Sequence, residues 1–235
     1  MADERDSAGR SLLATMVHDL RNPLSALAGN LALLKEELAT VQLPPTGTRC
    51  LEDSLALCTR ALLMVQSIAD VDALEQGTIS VRPRITPLRP EVDVAVAQGK
   101  VDAEARQLEV AIDVPELSPV VDGRLLSRVI QNLYDNAVRY APRAGKVVVT
   151  AGMAVTETDK QVVISVGNSG PRLTSDEKTS IFERDYRTAQ RQAGARLGRD
   201  FGLYFCRLVV EAHKGTITVE EREGLPAVFV VRIPQ

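Results

Sequence analysis

The residues that follow the charged N-terminus carry an unbroken heptad pattern of apolar side chains. Its positions alternate in steps of four and three: Leu13, Val17, Leu20, Leu24, Leu27, Leu31, Leu34 and Leu38. This spacing places them on one stripe of an α-helix, the a/d seam that packs knobs into holes against partner helices. The pattern therefore predicts a long helix over about residues 7–38 whose stability depends on neighbouring helices.

A second amphipathic segment follows the Pro- and Gly-containing break at residues 44–47 and extends over about residues 48–74. It carries two adjacent apolar stripes: Leu51, Leu55, Cys58, Leu62 and Val65, then Leu57, Ala61, Met64, Ile68 and Val71. One partner helix cannot cover so wide a face. We therefore expect two hairpins to pair as a four-helix bundle, which makes the chain a homodimer. The alternative is a single hairpin that packs on a second domain.

His18 directly follows a seam position and so lies on the flank of the first helix. A His in such a place is commonly a partly buried polar residue. Two neighbours favour a chemical role, because Asp19 is a carboxylate able to orient the ring, and Pro23 removes a backbone donor within the helical pattern. A neutral imidazole nitrogen is nucleophilic near neutral pH and can accept a phosphoryl group.

The hydrophobic period changes after residue 76. Strand-like alternation occurs over residues 79–85, 108–114, 146–155, 161–166, 216–221 and 227–233, and helical patterns over residues 91–107, 123–140 and 201–213. The last two strands are predicted to form a closing hairpin. We therefore predict an α+β chain of two domains: a dimerising helical hairpin over residues 1–76, and an α/β sandwich over residues 77–235 with helices on one sheet face.

Composition narrows the class of protein. The net charge of −3 argues against general binding to nucleic acid or membrane surfaces, and no apolar run approaches the roughly 20 residues that span a bilayer. The cysteines Cys50, Cys58 and Cys206 have neither zinc-site spacing nor a disulfide framework, which fits a cytoplasmic location. Only a short segment precedes His18, so we expect any input module in the rest of a longer chain or in another, upstream protein.

Three polar side chains share one face of the helix predicted over residues 123–140. Asn132, Asn136 and Arg139 lie at positions i, i+4 and i+7. Amide oxygens suit a hard cation such as Mg²⁺, and a guanidinium group suits phosphate oxygens. A solvated polar face is the ordinary explanation, but asparagine is a poor helix former and two within one helix need a reason. The pattern favours a face that binds magnesium and phosphate.

The segment around His18 resembles the phosphoacceptor box of sensor histidine kinases, in which Asp or Glu follows the His and Pro stands five places after it. His18, Asp19 and Pro23 match these positions. The resemblance implies that His18 is phosphorylated from ATP and that Asp19 assists. It also implies that Asn22 positions water to dephosphorylate a partner, a response regulator receiver domain.

Further segments resemble, in order, the boxes of that family's ATP-binding domain, the Bergerat or GHKL-type fold. They are the N box at residues 132–137, the first glycine box at residues 166–171, a Phe-containing box at residues 181–183 and the second glycine box at residues 198–203. The resemblance implies that Asn136 holds Mg²⁺, that Asn132 and Arg139 approach the phosphates of ATP, and that Tyr140 lines the adenine pocket. The glycine boxes add Asn168, Gly170, Gly198, Gly202 and Leu203 to the nucleotide site.

Several positions depart from the family pattern. Asn168 stands where the family has an adenine-reading Asp, and losing a charge-assisted hydrogen bond costs about 1–3 kcal/mol. Arg172 replaces the second glycine of the first box and is expected to crowd the pocket. Asp200 replaces the middle glycine of the second box, where it would repel the triphosphate. The expected lid carries arginines that either offset Asp200 or form a solvated loop: Arg184, Arg187, Arg191, Arg196 and Arg199.

Three functions remain open at this point. The first is a histidine kinase that phosphorylates His18 from ATP and transfers the phosphoryl group to an aspartate of a receiver domain, with phosphatase activity as a further possibility. The second is a histidine phosphotransferase or phosphatase, a pseudokinase that has lost useful ATP binding. The third is a scaffold that docks a receiver domain. The retained Asn132, Asn136 and Arg139 favour the kinase, whereas the altered glycine boxes favour the pseudokinase.

Overall fold

The computed structural model describes residues 2–41, 43–155, 159–184, 186 and 202–235. The chain divides into two compact units, residues 1–76 and residues 77–235.

The first unit is a helical hairpin. Helix α1 (Ala2–Glu37) continues through Pro23 and ends in a 3₁₀ turn (Leu38–Thr40). Helix α2 (Pro45–Glu75) begins at Pro45, three residues earlier than the periodicity predicts. Proline is well placed there because the first residue of a helix has no intrahelical partner for its N–H group.

The described part of the α1 heptad seam, residues 17–38, is only partly covered within one chain. Val17, Leu24, Leu31 and Leu38 are partly buried, as expected of residues facing α2. The seam residues between them, Leu20, Leu27 and Leu34, are 53%, 50% and 43% exposed. On α2, the first stripe buries Cys58 and Val65, whereas Leu57 of the second stripe is exposed. The hairpin therefore keeps an apolar stripe on its surface.

The second unit contains a five-stranded sheet in the order β2-β4-β5-β7-β6. Its strands are β2 (Glu109–Asp113), β4 (Lys146–Val155), β5 (Lys160–Asn168), β6 (Thr216–Arg222) and β7 (Leu225–Pro234). Strand β2 pairs parallel with β4, and the other neighbours are antiparallel. Strands β6 and β7 form the closing hairpin that the sequence predicts.

Helices cover one face of this sheet. They are α3 (Leu88–Gln98), α4 (Lys100–Ala105), α5 (Gly123–Tyr140), α6 (Ser175–Ser180) and α7 (Gly202–Ala212). Helices α5 and α7 contact the sheet and each other, and α3 contacts α5. Alternate strand residues such as Val149, Val166 and Val231 are fully buried. The opposite face carries a polar cluster, in which Ser165 bonds to Thr150 and Arg222.

Two predicted elements differ from the structure. The strand predicted over residues 79–85 shortens to β1 (Arg84–Ile85), which pairs antiparallel with β3 (Val120–Val121) in a separate small sheet. The helix predicted over residues 91–107 is interrupted at Gly99 and becomes α3 and α4. A Cβ atom at Gly99 would lie 2.7 Å from the Tyr134 ring, so glycine lets this break approach α5.

Buried hydrogen bonds join the start of α5 to the end of α7. The Asp122 carboxylate caps α5 by accepting from the Leu125 N–H group at 3.2 Å, and it also accepts from the Arg82 N–H group at 3.1 Å. The Asp122 N–H group donates to Nε2 of His213 at 3.0 Å, while Nδ1 of His213 donates to the Val209 carbonyl at 2.8 Å. Both ring nitrogens are therefore engaged, which gives His213 a structural role.

We predict that His213→Ala lowers the free energy of unfolding by about 1–3 kcal/mol, because it leaves the buried Asp122 N–H group without an acceptor. Urea unfolding followed by circular dichroism measures this. His18→Ala is the matched control, since the His18 side chain is exposed and its loss should change stability by less than about 0.5 kcal/mol. Equal midpoints for the two variants would contradict the structural role of His213.

Candidate functional site

The apolar face of α5 fixes how this helix presents its polar residues. Its buried residues are Leu125, Leu126, Val129, Ile130, Leu133, Tyr134, Ala137 and Val138. Asn132, Asn136 and Arg139 remain partly exposed, as the sequence predicts for a functional face. Since the buried residues hold the rotation of α5, the positions of these polar side chains are set by core packing.

A cavity of about 190 Å³ lies where α5 and β5 end. Among the predicted site residues it brings together Asn136, Tyr140 and Asn168, and it also contains Arg172. The rest of its lining is Pro171, Leu173, Glu177, Ile181, Tyr186, Ala227 and Phe229. Apolar walls with a few polar groups are typical of sites for small molecules, and they suit a flat aromatic base.

Asn168 is the fully buried polar residue in this lining. It is the last residue of β5 and is 1% exposed. Its side-chain nitrogen has no hydrogen-bond partner within the described part of the chain. An unsatisfied buried polar group costs about 1–3 kcal/mol, and native proteins retain few of them. The cavity therefore contains a hydrogen-bonding group that a ligand can satisfy.

Gly170 makes the closest backbone approach at the cavity. A Cβ atom at this position would lie 2.4 Å from the Tyr140 carbonyl oxygen and 2.4 Å from the Asn168 side-chain nitrogen. Both distances are far below van der Waals contact, so any other residue would displace one of these groups. Gly170 thus acts by allowing Tyr140 and Asn168 to lie close together.

The second polar position on α5 lies against the start of α7. Asn132 donates from its side chain to the Arg128 carbonyl at 2.9 Å, and a Cβ atom on Gly202 would lie 2.8 Å from its side-chain oxygen. Leu203 is buried in the core. Asn132, Arg139, Gly202 and Leu203 do not belong to the cavity lining given by the described residues. The structure thus groups Asn132 with Gly202, apart from the base-sized cavity.

Several predicted residues lie outside the described part of the chain. They are Gly198 and Asp200 of the second glycine box and the lid residues Arg187, Arg191, Arg196 and Arg199.

Arg172 is held at the surface by an ion pair. Its guanidinium group lies 3.0 Å from the Glu221 carboxylate and the side chain is 71% exposed. Lys178 also reaches Glu221, at 2.6 Å. The hydrogen bond from Lys178, together with the charge of Arg172, lowers the pKa of Glu221 below its ordinary value. The side chain that was expected to crowd the pocket is therefore directed toward Glu221 at its rim.

A capping box begins α6, the short helix that carries the lining residue Glu177. The Thr174 hydroxyl accepts from the Glu177 N–H group at 3.2 Å, and the Glu177 carboxylate accepts from the Thr174 N–H group at 2.8 Å. A Thr followed three residues later by Glu is typical of a helix start. This pattern predicts the start of α6, which carries Glu177, a lining residue that sequence reasoning missed.

The first unit places His18, Asp19 and Asn22 within about one helical turn. The His18 side chain is 72% exposed, and its Nδ1 atom lies 3.6 Å from Asp19 Oδ1 and 3.4 Å from Asn22 Nδ2. Both neighbours face Nδ1, so Nε2 projects away from them. The Asp19 carboxylate favours a hydrogen on Nδ1, whereas the Asn22 NH2 group can donate to Nδ1 only when that nitrogen carries none. With hydrogen on Nδ1, the Nε2 lone pair is available as a nucleophile.

Comparison with known proteins matches both units to families. Residues 9–77 match the His Kinase A (phospho-acceptor) domain, and residues 121–235 match the histidine kinase-, DNA gyrase B- and HSP90-like ATPases. The chain is a sensor histidine kinase catalytic core. This result confirms the family and the two-part fold class that the sequence motifs predict.

Individual proteins are similar to this chain, one in sequence and two in fold. The sensor protein KdpD of Escherichia coli is 29% identical over 235 residues, which is 100% of this chain and 25% of KdpD. The crystal structure of ShkA with AMPPNP has a TM-score of 0.71 at 22% identity and covers 95% of this chain and 45% of ShkA. The structure of ThkA in complex with the response regulator TrrA has a TM-score of 0.57 at 22% identity. It covers 99% of this chain and 63% of ThkA.

This kinase core spans a quarter of the length of KdpD. A search of its described helices finds none that is long and apolar enough to cross a membrane.

We predict that Gly170→Ala disrupts the cavity, because the new methyl group must displace the Tyr140 carbonyl or the Asn168 amide. Nucleotide binding measured by calorimetry should weaken by at least roughly tenfold, a free-energy change of about 1.4 kcal/mol. Gly152→Ala in β4 is the matched control, since a Cβ atom there meets nothing within 4 Å. Unchanged nucleotide affinity in Gly170→Ala would show that this close approach is not needed.

Proposed function

We propose that this histidine kinase core phosphorylates His18 from ATP and transfers the phosphoryl group to an aspartate of a response regulator receiver domain. The observation that carries the proposal is the buried amide of Asn168, whose nitrogen has no partner among the described residues, in a cavity shared with Asn136 and Tyr140. A chain that had abandoned its nucleotide would gain stability by replacing this amide with an apolar residue, because the unpartnered group has a desolvation cost.

The nucleotide site would be divided between two places. The base would occupy the cavity, beside Tyr140 and the Asn168 amide. Asn136 would hold Mg²⁺, which supplies positive charge against the phosphate oxygens when it is bound. The phosphates would lie toward Asn132, Arg139 and the N-terminal end of α7, because the first N–H groups of a helix have no intrahelical partner. Gly198 and Leu203 complete the proposed set from the second glycine box.

In the proposed reaction, the Nε2 lone pair of His18 forms a bond to the γ-phosphorus of ATP as the bond to the β,γ-bridging oxygen breaks. The products are phosphohistidine and ADP. The proton on Nδ1 stays in place while positive charge develops on the ring. The Asp19 carboxylate, 3.6 Å from Nδ1, offsets that charge and keeps the ring in its reactive tautomer.

The exposed position of His18 supports transfer to a separate protein, because an aspartate of a receiver domain must reach the same Nε2 atom. ThkA, which has the same fold, was crystallised with the response regulator TrrA. Asn22 lies beside His18 and would orient water to hydrolyse the phosphorylated receiver. On this proposal the core acts as a kinase and as a phosphatase of the same partner.

The hairpin would make the chain a homodimer. The exposed seam residues Leu20, Leu27 and Leu34 repeat every seven positions, which is the spacing that a partner helix covers in a bundle. Residues 1–76 would thus serve dimerisation and phosphotransfer, and residues 77–235 would bind ATP. We propose a cytoplasmic location and an upstream sensor as the source of the signal, with no direct membrane span and no nucleic acid partner.

We predict that the double variant Leu20→Lys with Leu27→Lys is monomeric, because buried lysines in a bundle seam would repel each other and lose their hydration. Light scattering at micromolar concentration should give twice the monomer mass for the wild type and the monomer mass for the variant. Ala26→Lys is the control, since Ala26 is exposed and off the seam. A wild-type mass that stays monomeric as concentration rises would refute the dimer.

We predict that labelled ATP phosphorylates the wild type and that His18→Ala abolishes the label. Asp19→Asn should slow labelling by at least roughly tenfold, because it removes the charge beside Nδ1. The control Asp53→Asn alters an exposed carboxylate on α2 and should label normally. Asn22→Ala should still be labelled but should lose the ability to dephosphorylate a receiver domain. Label that persists in His18→Ala would refute this assignment.

The altered glycine boxes favour a second function, phosphotransfer without ATP. Asn168 stands at the family's adenine-reading position, and Asp200 carries a negative charge in the second box. If calorimetry detects no ATP binding with or without Mg²⁺, while a phosphorylated receiver domain still labels His18, the chain is a phosphotransfer protein. Magnesium-dependent ATP binding that Asn136→Ala makes independent of magnesium would support the kinase instead.

A further inference from the structure

We infer that the base pocket accepts purines with an oxo group at position 6 as well as adenine, because Asn168 presents an amide there. This inference rests on the proposed function, in which the cavity holds the base of a nucleoside triphosphate. It goes beyond that proposal by naming the class of base that the pocket recognises.

The argument begins with the hydrogen-bonding capacity of the side chain. An ionised carboxylate only accepts hydrogen bonds, so it favours the 6-amino group of adenine and repels a 6-oxo group. An amide carries both a donor and an acceptor, and a half-turn about its last side-chain bond exchanges them. Asn168 can therefore accept from a 6-amino group in one orientation and donate to a 6-oxo group in the other.

The side-chain nitrogen of Asn168 does not lock the amide in one orientation. The side-chain nitrogen has no hydrogen-bond partner within the described residues, so no such bond fixes it as a donor in one direction. The burial of the side chain at 1% exposure means that solvent does not satisfy it instead. A ligand atom is then the partner that decides which way the amide turns.

Other charged groups in the lining are already engaged. The Glu177 carboxylate accepts from the Thr174 N–H group at 2.8 Å in the capping box. Arg172 is paired with Glu221 at 3.0 Å and is directed toward the surface. Ile181, Ala227 and Phe229 provide apolar contacts that do not distinguish an amino group from an oxo group. Asn168 is the fully buried hydrogen-bonding side chain of the described lining, so we assign discrimination at position 6 to it.

The test compares ADP with IDP, two diphosphates whose bases differ only at position 6 and its adjacent ring proton. Neither can phosphorylate the protein, so calorimetry with Mg²⁺ measures binding alone. For the wild-type chain we expect dissociation constants within about threefold of each other. For Asn168→Asp we expect tighter ADP binding, weaker IDP binding and a ratio of at least roughly thirtyfold, the size of a mismatched buried hydrogen bond.

Asn132→Asp is the matched control. It makes the same chemical change beside Gly202, outside the cavity lining, so it should weaken both diphosphates by a similar factor and leave their ratio unchanged. Asn168→Ala removes donor and acceptor together and should also leave the ratio near its wild-type value. These variants separate recognition of the base from general loss of affinity.

The outcomes distinguish this inference from the function on which it rests. If wild-type protein binds ADP but binds IDP more than thirtyfold more weakly, the inference is overturned and the ATP site stands. An unchanged ratio in folded Asn168→Asp also overturns it. If the wild type binds neither diphosphate, the proposed nucleotide site fails and the inference fails with it. The wild-type comparison decides the question even if the buried carboxylate of Asn168→Asp prevents folding.

Discussion

The burial of one face of α5 is the constraint on which the second unit of this kinase core depends. Leu133, Tyr134 and Ala137 are fully buried, and they fix the rotation of the helix about its axis. Asp122 and His213 fix its start through buried hydrogen bonds. A helix held in this way presents Asn132 and Asn136 one turn apart on its free side. The packing of the apolar core therefore determines where the polar side chains of α5 lie.

The cavity at the end of α5 combines close packing with an unsatisfied polar group. Gly170 lets the backbone pass within a few ångström of Tyr140 and Asn168, and the Asn168 side-chain nitrogen is buried without a partner among the described residues. Such a group lowers stability in the empty protein and is satisfied when a ligand supplies the missing hydrogen bond. This loss of stability is expected of a site that binds a ligand. It is not expected of a scaffold that binds no ligand in the cavity.

The helical unit differs from the second unit in that it leaves apolar side chains exposed within one chain. Within the described residues, some positions of the α1 seam face α2, and others, including Leu20 and Leu27, remain exposed. His18 lies beside this seam and is itself exposed, with Asp19 and Asn22 on its Nδ1 side. The exposed apolar stripe fits a surface that pairs with a second copy of the chain. The exposed His18 beside it fits a phosphoryl acceptor that ATP and a receiver domain can reach.

The sequence alone determined the features that depend on local periodicity and residue chemistry. It predicted α5 to the residue, the closing hairpin, and the family, because amphipathic helices, alternating strands and spaced motifs are written in neighbouring residues. Tertiary structure decided the features that depend on contacts between residues far apart in the sequence. The break at Gly99 follows from its contact with Tyr134, and the short β1 follows from pairing with β3. Likewise, Arg172 turns toward Glu221, and the Asn168 side-chain nitrogen has no partner among the described residues, because residues far apart in the chain supply or withhold those contacts.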